Sequence, residues 1–225
     1  KWVTWALNNG DVSEILPQEI YPNSMPSFAK SLQYLHNPPP SINLQTLENR
    51  TNPAWQRLAF DELLAQQLSM REHYAKRREL GAPQLKSSQS LVAQLLQTLP
   101  FGLTDAQQRV VKEISEDLTR PYPMQRLLQG DVGSGKTIVA TIAALQAIEN
   151  GYQVAIMAPT EILAEQHYKK MLYWLAPLNI QVAWLSGSQG KKDRASSLEM
   201  IASGEAQLAV GTHALFQSQV QFKKL

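Results

Sequence analysis

Residues 127 to 140, LLQGDVGSGKTIVA, hold the densest chemistry in the sequence. Gly130, Asp131, Val132, Gly133, Ser134, Gly135, Lys136 and Thr137 satisfy the pattern GxxxxGK[ST]. Its glycines let the backbone curl into a concavity of N–H donors that faces an anion. Lys136 supplies a point charge for the β and γ phosphates of a nucleotide, and the hydroxyl of Thr137 is placed to ligand Mg²⁺. RLLQ, 126–129, predicts a strand just before the loop. The periodic stretch after it predicts a helix whose positive end meets the phosphate. A glycine-rich turn that holds nothing would leave the lysine unexplained.

A second element lies one helix upstream, in FGLTDAQQRVVKEI. Thr104 caps a predicted helix and Gln107, three residues on, completes a capping box. Capping explains both residues by itself. The Gln107 amide, with two donors and an acceptor, can also read an adenine edge while Phe101 packs against the base.

These residues need a scaffold, and the chain changes texture near residue 100. Beyond it, the apolar runs RLLQ (126–129), QVAIMAP (153–159), IQVAWLSG (180–187) and AQLAVGT (206–212) read as strands. Helical stretches near 105–119, 135–149, 161–175 and 191–203 separate them, which predicts an α/β, doubly wound domain on a parallel sheet over 100–225. Residues 1–99 carry helix signals instead. A short amphipathic piece at Trp2–Leu7 leads into a connector with Pro17, Pro22 and Pro26, and Ser27 caps a helix over Phe28–His36. NPPPSINLQTL stops that helix and reads as a rigid connector. From Asn52 as cap and Pro53 in the first turn, one long helix runs until Gly81 and Pro83. Trp55, Ala59 and Leu63 share one side of it and Phe60, Leu64 and Leu68 another, which predicts burial against more than one neighbour. Arg71, Lys76, Arg77 and Arg78 near its end can touch a phosphate backbone or simply complement the helix dipole.

At 225 residues and 44% hydrophobic, the chain has ample material for a packed core. A net charge of +2 gives no global drive toward nucleic acid, so any such affinity must be local. Cysteine is absent, which excludes disulfides and thiolate metal sites and suits a reducing compartment, with cytoplasm as the default. No apolar run has the length to cross a bilayer, so no membrane role is expected. The start at Lys1 in mid-pattern and the end at VQFKKL read as those of a piece of something larger.

Taken together, these motifs resemble those of the superfamily-two DNA helicases, and within them the RecG-type fork helicases, and the resemblance covers nearly the whole chain. QGDVGSGKT looks like motif I, FGLTDAQ like the Q-motif region, APTEILAEQH like motif Ia, WLSGS like the next DNA-contacting motif and VGTHALFQ like motif Ib. LHNPPPSINLQTLE and NPAWQRLAFDELLAQQLSM resemble the segment that joins wedge to motor in those helicases. The resemblance implies a helical linker region over 1–99 and part of a RecA-like P-loop motor domain over 100–225. It implies ATP and Mg²⁺ as cofactors, with Lys136 and Thr137 catalytic and Thr137 on the metal. Phe101, Gln107 and residues 130–137 would bind the nucleotide. Pro159, Thr160, Glu161, Gln166, Gly187, Gly211, Thr212 and His213 would bind DNA. The implied activity is ATP-driven remodelling of branched DNA, forks and Holliday junctions, in recombination and repair. The implied protein is monomeric, sits in the bacterial cytoplasm at the nucleoid, and has single-stranded DNA-binding protein as a protein partner.

The DNA residues also have a physical logic. Thr160 and Glu161 open a helix at a carboxyl strand end, where open α/β sheets bind ligands, and free N–H groups there can meet a phosphate. Gly211, Thr212 and His213 follow another strand and can grip a sugar–phosphate strand by N–H and hydroxyl groups. Ordinary helix capping explains both by spacing alone. Lys191, Lys192 and Arg194 in SQGKKDR are a charge run of the kind that is usually solvated. No adjacent Asp–Glu pair occurs in 138–225, and Glu149, Glu161, Glu165, Asp193, Glu199 and Glu205 close no predicted strand. The carboxylates that hold Mg²⁺ and orient water, and the arginine fingers, are thus expected elsewhere, and no turnover is expected of this chain alone. Three alternatives compete: a transcription-coupled repair translocase, a P-loop ATPase that does not act on DNA, and a binding module whose helical half docks on DNA or other domains.

Overall fold

Side-chain caps lay out the first part of the chain. The computed structural model describes residues 2–22, 24–88 and 90–225, apart from the side chains of Thr4 and Asn8. They form two compact units, Lys1–Lys76 and Arg77–Leu225. In the first, α1 (Trp2–Asn9) is followed by α2 (Phe28–His36), where the Ser27 hydroxyl accepts the Lys30 N–H at 3.4 Å. The short α3 (Leu44–Glu48) starts at Asn43, whose side chain accepts the Gln45 N–H at 3.0 Å. The stretch expected to be connector alone thus contains a capped helical turn. The long α4 (Pro53–Glu79) begins at Asn52, which accepts the Ala54 N–H at 2.9 Å.

One arginine organises this unit. Arg57 on α4 is fully buried. Its Nε donates to Asp61 Oδ1 at 2.9 Å, and a terminal nitrogen donates to the Pro26 carbonyl at 3.2 Å and to Glu14 Oε2 at 3.1 Å. The other terminal nitrogen pairs with Glu14 Oε1, and the guanidinium lies 4.0 Å from the ring centre of Tyr21. Glu14 also accepts the Phe28 N–H at 3.0 Å, so the connector, the start of α2 and the first turns of α4 meet on one ion pair. The predicted two-sided burial of α4 does not occur. Among its described residues only Ala54 and Arg57 are buried, while Leu63 and Leu68 remain 60% and 56% exposed. The helix is held by a polar anchor near its start, and its apolar rows find no second layer along its middle.

The second unit is a three-stranded sheet with helices on both faces. In chain order it contains α5 (Ser90–Thr98), α6 (Asp105–Leu118), α7 (Lys136–Glu149), β1 (Val154–Met157), α8 (Glu161–Leu175), β2 (Gln181–Leu185), α9 (Lys191–Ser203) and β3 (Ala206–Gly211). The strands are all parallel in the order β1-β3-β2, with Val210 facing Ile156 on one side and Trp184 on the other. The period-two pattern splits the core. Val182, Leu208 and Val210 pack with Leu95, Leu145, Met171 and Leu175 of the helices, whereas Ala183, Leu185 and Ala209 pack with Ile201 and Leu215.

The strand expected at 126–129 is not formed. A strand exists only as half of a ladder, and RLLQ makes no ladder with any described residue. It is held by its first side chain instead: Arg126 donates to Glu113 at 2.8 Å and to Asp117 at 2.6 Å, both on α6. The compact unit also begins earlier than the change of texture near residue 100, and α7 explains why. Buried Gln146 donates to the Leu85 carbonyl at 2.8 Å, Asn150 exchanges bonds of 3.0 and 2.8 Å with the Lys86 backbone, and Glu149 accepts the Leu91 N–H. Leu85, Lys86 and Leu91 are thereby strapped to the far end of the helix that starts at Lys136. Among the described residues no helix is long and apolar enough to cross a membrane.

Replacing Arg57 by Ala leaves Glu14 and Asp61 without their cation, and an expected loss of about 3 kcal/mol follows for a broken buried pair; denaturant unfolding followed by circular dichroism measures it. Arg57 lowers the Glu14 carboxyl from 4.5 to about 2. A depressed carboxyl stabilises the fold above its unfolded value, and the contribution is lost as pH falls from about 4.5 to about 2. Glu14→Gln is expected to flatten the stability profile across that window.

Candidate functional site

The phosphate loop takes its shape from two glycines and one glutamine. Gly133 and Gly135 have φ of +86° and +81°, the left-handed region. At Gly135 an added Cβ would lie 2.3 Å from Gln107 Nε2, so any side chain there displaces the Gln107 amide as well as straining the backbone. That amide spans two elements: Oε1 accepts the Thr104 N–H at 2.9 Å and Nε2 donates to the Ser134 carbonyl at 2.9 Å. The capping box expected from the sequence is formed, with Thr104 Oγ1 accepting the Gln107 N–H at 3.3 Å. Gln107 therefore reads the loop itself, and its acceptor is already in use by the cap. Phe101 is 46% exposed in the segment before α6.

Within the loop, Lys136 Nζ donates to the carbonyls of Gly130 and Asp131, each at 2.7 Å. The cation thus sits among the turn carbonyls, weak acceptors that a phosphate oxygen can displace. Among the described residues the N–H groups of Val132, Gly133, Gly135, Lys136 and Thr137 have no protein acceptor. Free donors around one ammonium at a helix start fit a polyphosphate, and the donor set fits no metal without it. Consistently, no cluster of three metal-ligating side chains occurs among the described residues.

The remaining predicted site residues gather at the carboxyl edge of the sheet. Thr160 caps α8 by accepting the Leu163 N–H at 3.4 Å, and Pro159, Thr160 and Gln166 are exposed. Glu161, beside them, accepts the Ser188 N–H at 3.1 Å and its hydroxyl at 2.8 Å. Those two bonds from Ser188, with smaller help from the Gly187 N–H and the His213 charge, hold its carboxyl below the usual range. Glu161 and the loop at Gly187 and Ser188 are thus neighbours although far apart in sequence. His213 is exposed, but Gly211 and Thr212 are buried. A Cβ on Gly211 would lie 2.0 Å from the Leu185 carbonyl, and the Thr212 hydroxyl accepts the Ala214 N–H at 3.5 Å. In these two residues close packing and capping account for the residue types, and His213 is the exposed one of the three.

Sequence reasoning passed over two residues here. Ser188 is paired to Glu161, and Arg194, read as part of a solvated run, donates to the Ser186 carbonyl at 3.0 Å and to Gln217 at 2.7 Å. An arginine one turn into a helix after a glycine-rich loop is the only signal in the sequence that pointed there.

The sequence profile described as DEAD/DEAH box helicase matches residues 104–225. The chain is 50% identical over 220 residues to the ATP-dependent DNA helicase RecG of Pasteurella multocida, covering 98% of this chain and 32% of that protein. It is 50% identical to the protein of the same name from Escherichia coli K12, covering 95% of this chain and 31% of that one. The solved structure of RecG bound to a three-way DNA junction superposes with a TM-score of 0.80 at 37% identity, over 95% of this chain and 28% of that chain. The chain thus spans about a third of the length of the relatives it matches.

Gly135→Ala sets a Cβ against Gln107 and forces alanine into the left-handed region, at an expected cost of about 1–2 kcal/mol. The melting temperature of the second unit is expected to drop by several degrees in calorimetry, about 2–4 °C for each kcal/mol.

Proposed function

The chain belongs to the DEAD/DEAH box helicase family, and we propose that it is part of an ATP-driven DNA translocase that remodels branched DNA such as forks and Holliday junctions. One observation carries this: a phosphate loop with free donors around Lys136 shares a compact unit with a second cluster, Glu161 and Ser188, at the strand ends. The resemblance to RecG helicases, one of them solved on a three-way junction, supports branched DNA as the substrate.

In the nucleotide site, the N–H groups of Val132, Gly133, Gly135, Lys136 and Thr137 bind the β and γ phosphates and Lys136 leaves its two carbonyls to bind them as a point charge. The Thr137 hydroxyl would hold Mg²⁺, which would supply positive charge against the phosphates. Gln107 and Phe101 lie ahead of the loop, on the side of α6, and we assign them to the adenine. Its bond to the Ser134 carbonyl lets Gln107 report base occupancy to the loop. Among 138–225 no adjacent Asp–Glu pair supplies the water-orienting carboxylates, so hydrolysis requires residues beyond these.

On the DNA side, the exposed residues Pro159, Thr160, Gln166 and His213 face a sugar–phosphate strand at the carboxyl edge, with helix N–H groups as donors. Gly187 lets the loop after β2 approach that strand. The first unit is assigned to the linker before the motor. A monomer working in the bacterial cytoplasm at the nucleoid, alongside single-stranded DNA-binding protein, completes the proposal.

Lys136→Ala is expected to weaken binding of a fluorescent ATP analogue at least tenfold, about 1.4 kcal/mol or more, without changing the fold. Unchanged affinity in an equilibrium titration would remove the nucleotide assignment.

A further inference from the structure

Three loops leave the carboxyl edge of the sheet, one after each strand, and side chains fasten them to one another. Glu161, the first residue of α8, takes the Ser188 N–H at 3.1 Å and its hydroxyl at 2.8 Å, which ties the loop after β1 to the loop after β2. Arg194, in the first turns of α9, forks in the other direction. One nitrogen donates to the Ser186 carbonyl at 3.0 Å and another to Gln217 Oε1 at 2.7 Å, which ties the loop after β2 to the segment after β3. Beneath them the Thr212 N–H meets the Leu185 carbonyl at 3.2 Å and the Ala158 N–H meets the Gly211 carbonyl at 2.9 Å.

We infer that Glu161 and Arg194 are positioning residues that lock the three loops into one preassembled strand-binding platform, and that neither touches the DNA. The inference rests on the DNA reading proposed above. Both residues have the opposite appearance in sequence. Glu161 falls in a stretch that resembles a DNA-contacting motif, yet a phosphate beside its carboxylate would be repelled, and both of its oxygens are already engaged. Its negative charge also offsets the positive end of α8, so what it contributes to an anion site is shape and not field. Arg194 belongs to a basic run that suggests phosphate contact, but two of its nitrogens serve the protein. Lys191 and Lys192, the rest of that run, are exposed and carry no such bonds. Loops held in register before the ligand arrives need not be ordered on binding, which favours affinity without adding a contact.

Glu161→Ala, Ser188→Ala and Arg194→Met in the full chain test this with two readouts. In amide hydrogen exchange, Glu161→Ala should speed exchange at Ser188 by about tenfold or more, and Arg194→Met should do so across 214–217, with the body of α8 unchanged. Unaltered exchange overturns the fastening. In anisotropy titrations of labelled duplex DNA, all three variants should bind several-fold more weakly with the wild-type dependence on salt. A salt slope lower by about one phosphate contact for Arg194→Met would make that arginine a DNA ligand and overturn its assignment. Arg194→Lys keeps the charge but cannot fork to two acceptors, so it should behave like Arg194→Met; full retention of affinity would count against us. A wild-type chain with no affinity for DNA would instead sink the proposed function, while the exchange data would still decide the fastening.

Discussion

The central strand β3 is the constraint on which the rest depends. Hydrogen-bonded in parallel on both sides, it brings the carboxyl ends of β1, β2 and β3 to one edge. Parallel pairing leaves no choice in this, because strands that run the same way end on the same side and their connections must cross over as helices. The fit is tightest at Gly211, where even a methyl group would collide with the Leu185 carbonyl. Ser188 reaches Glu161 because β1 and β2, which lie on either side of β3, end at this same edge. The site chemistry at the edge is therefore a property of the sheet, and its residues need no proximity in sequence.

The nucleotide loop is placed by a different device. Helix α7 begins at Lys136, and its buried apolar residues pack it into the larger core. Its C-terminal turn is equally committed, through Gln146, Glu149 and Asn150, to the backbone of residues 85–91. These bonds read main chain and so do not depend on which side chains the approach carries. A helix of about four turns, roughly 1.5 Å per residue, thus joins the phosphate loop to the entry segment as a single rod.

Much of this was legible in sequence because much of it is local. Caps at Ser27, Asn52, Thr104 and Thr160 act within three residues of themselves, and the helices they start fall where periodicity placed them. The three strands were legible because each apolar run lies between two helical patterns. RLLQ had the same composition, but its outcome depended on a ladder partner and not on its own residues. Arg57 was invisible for a similar reason. One of its partners is 43 residues away, and nothing in the long helix marks a buried cation. The apolar rows of α4 misled in the opposite direction, since a hydrophobic pattern states what can be buried and not what is there to bury it. In the candidate site the glycines of the loop announce its left-handed turns, whereas the burial of Gly211 and Thr212 depends on the neighbouring strand and is not marked in their own residues.

The proposed nucleotide site and the proposed strand platform, both in the second unit, have consequence only if the two are coupled. The most direct measurement is steady-state ATP hydrolysis by the whole protein that carries this chain, with no DNA, with linear duplex and with a forked duplex of equal length. The account predicts slow hydrolysis without DNA and a strong increase with DNA, largest on the fork. Hydrolysis indifferent to DNA would contradict it and leave a nucleotide-binding domain whose strand-end loops serve something else.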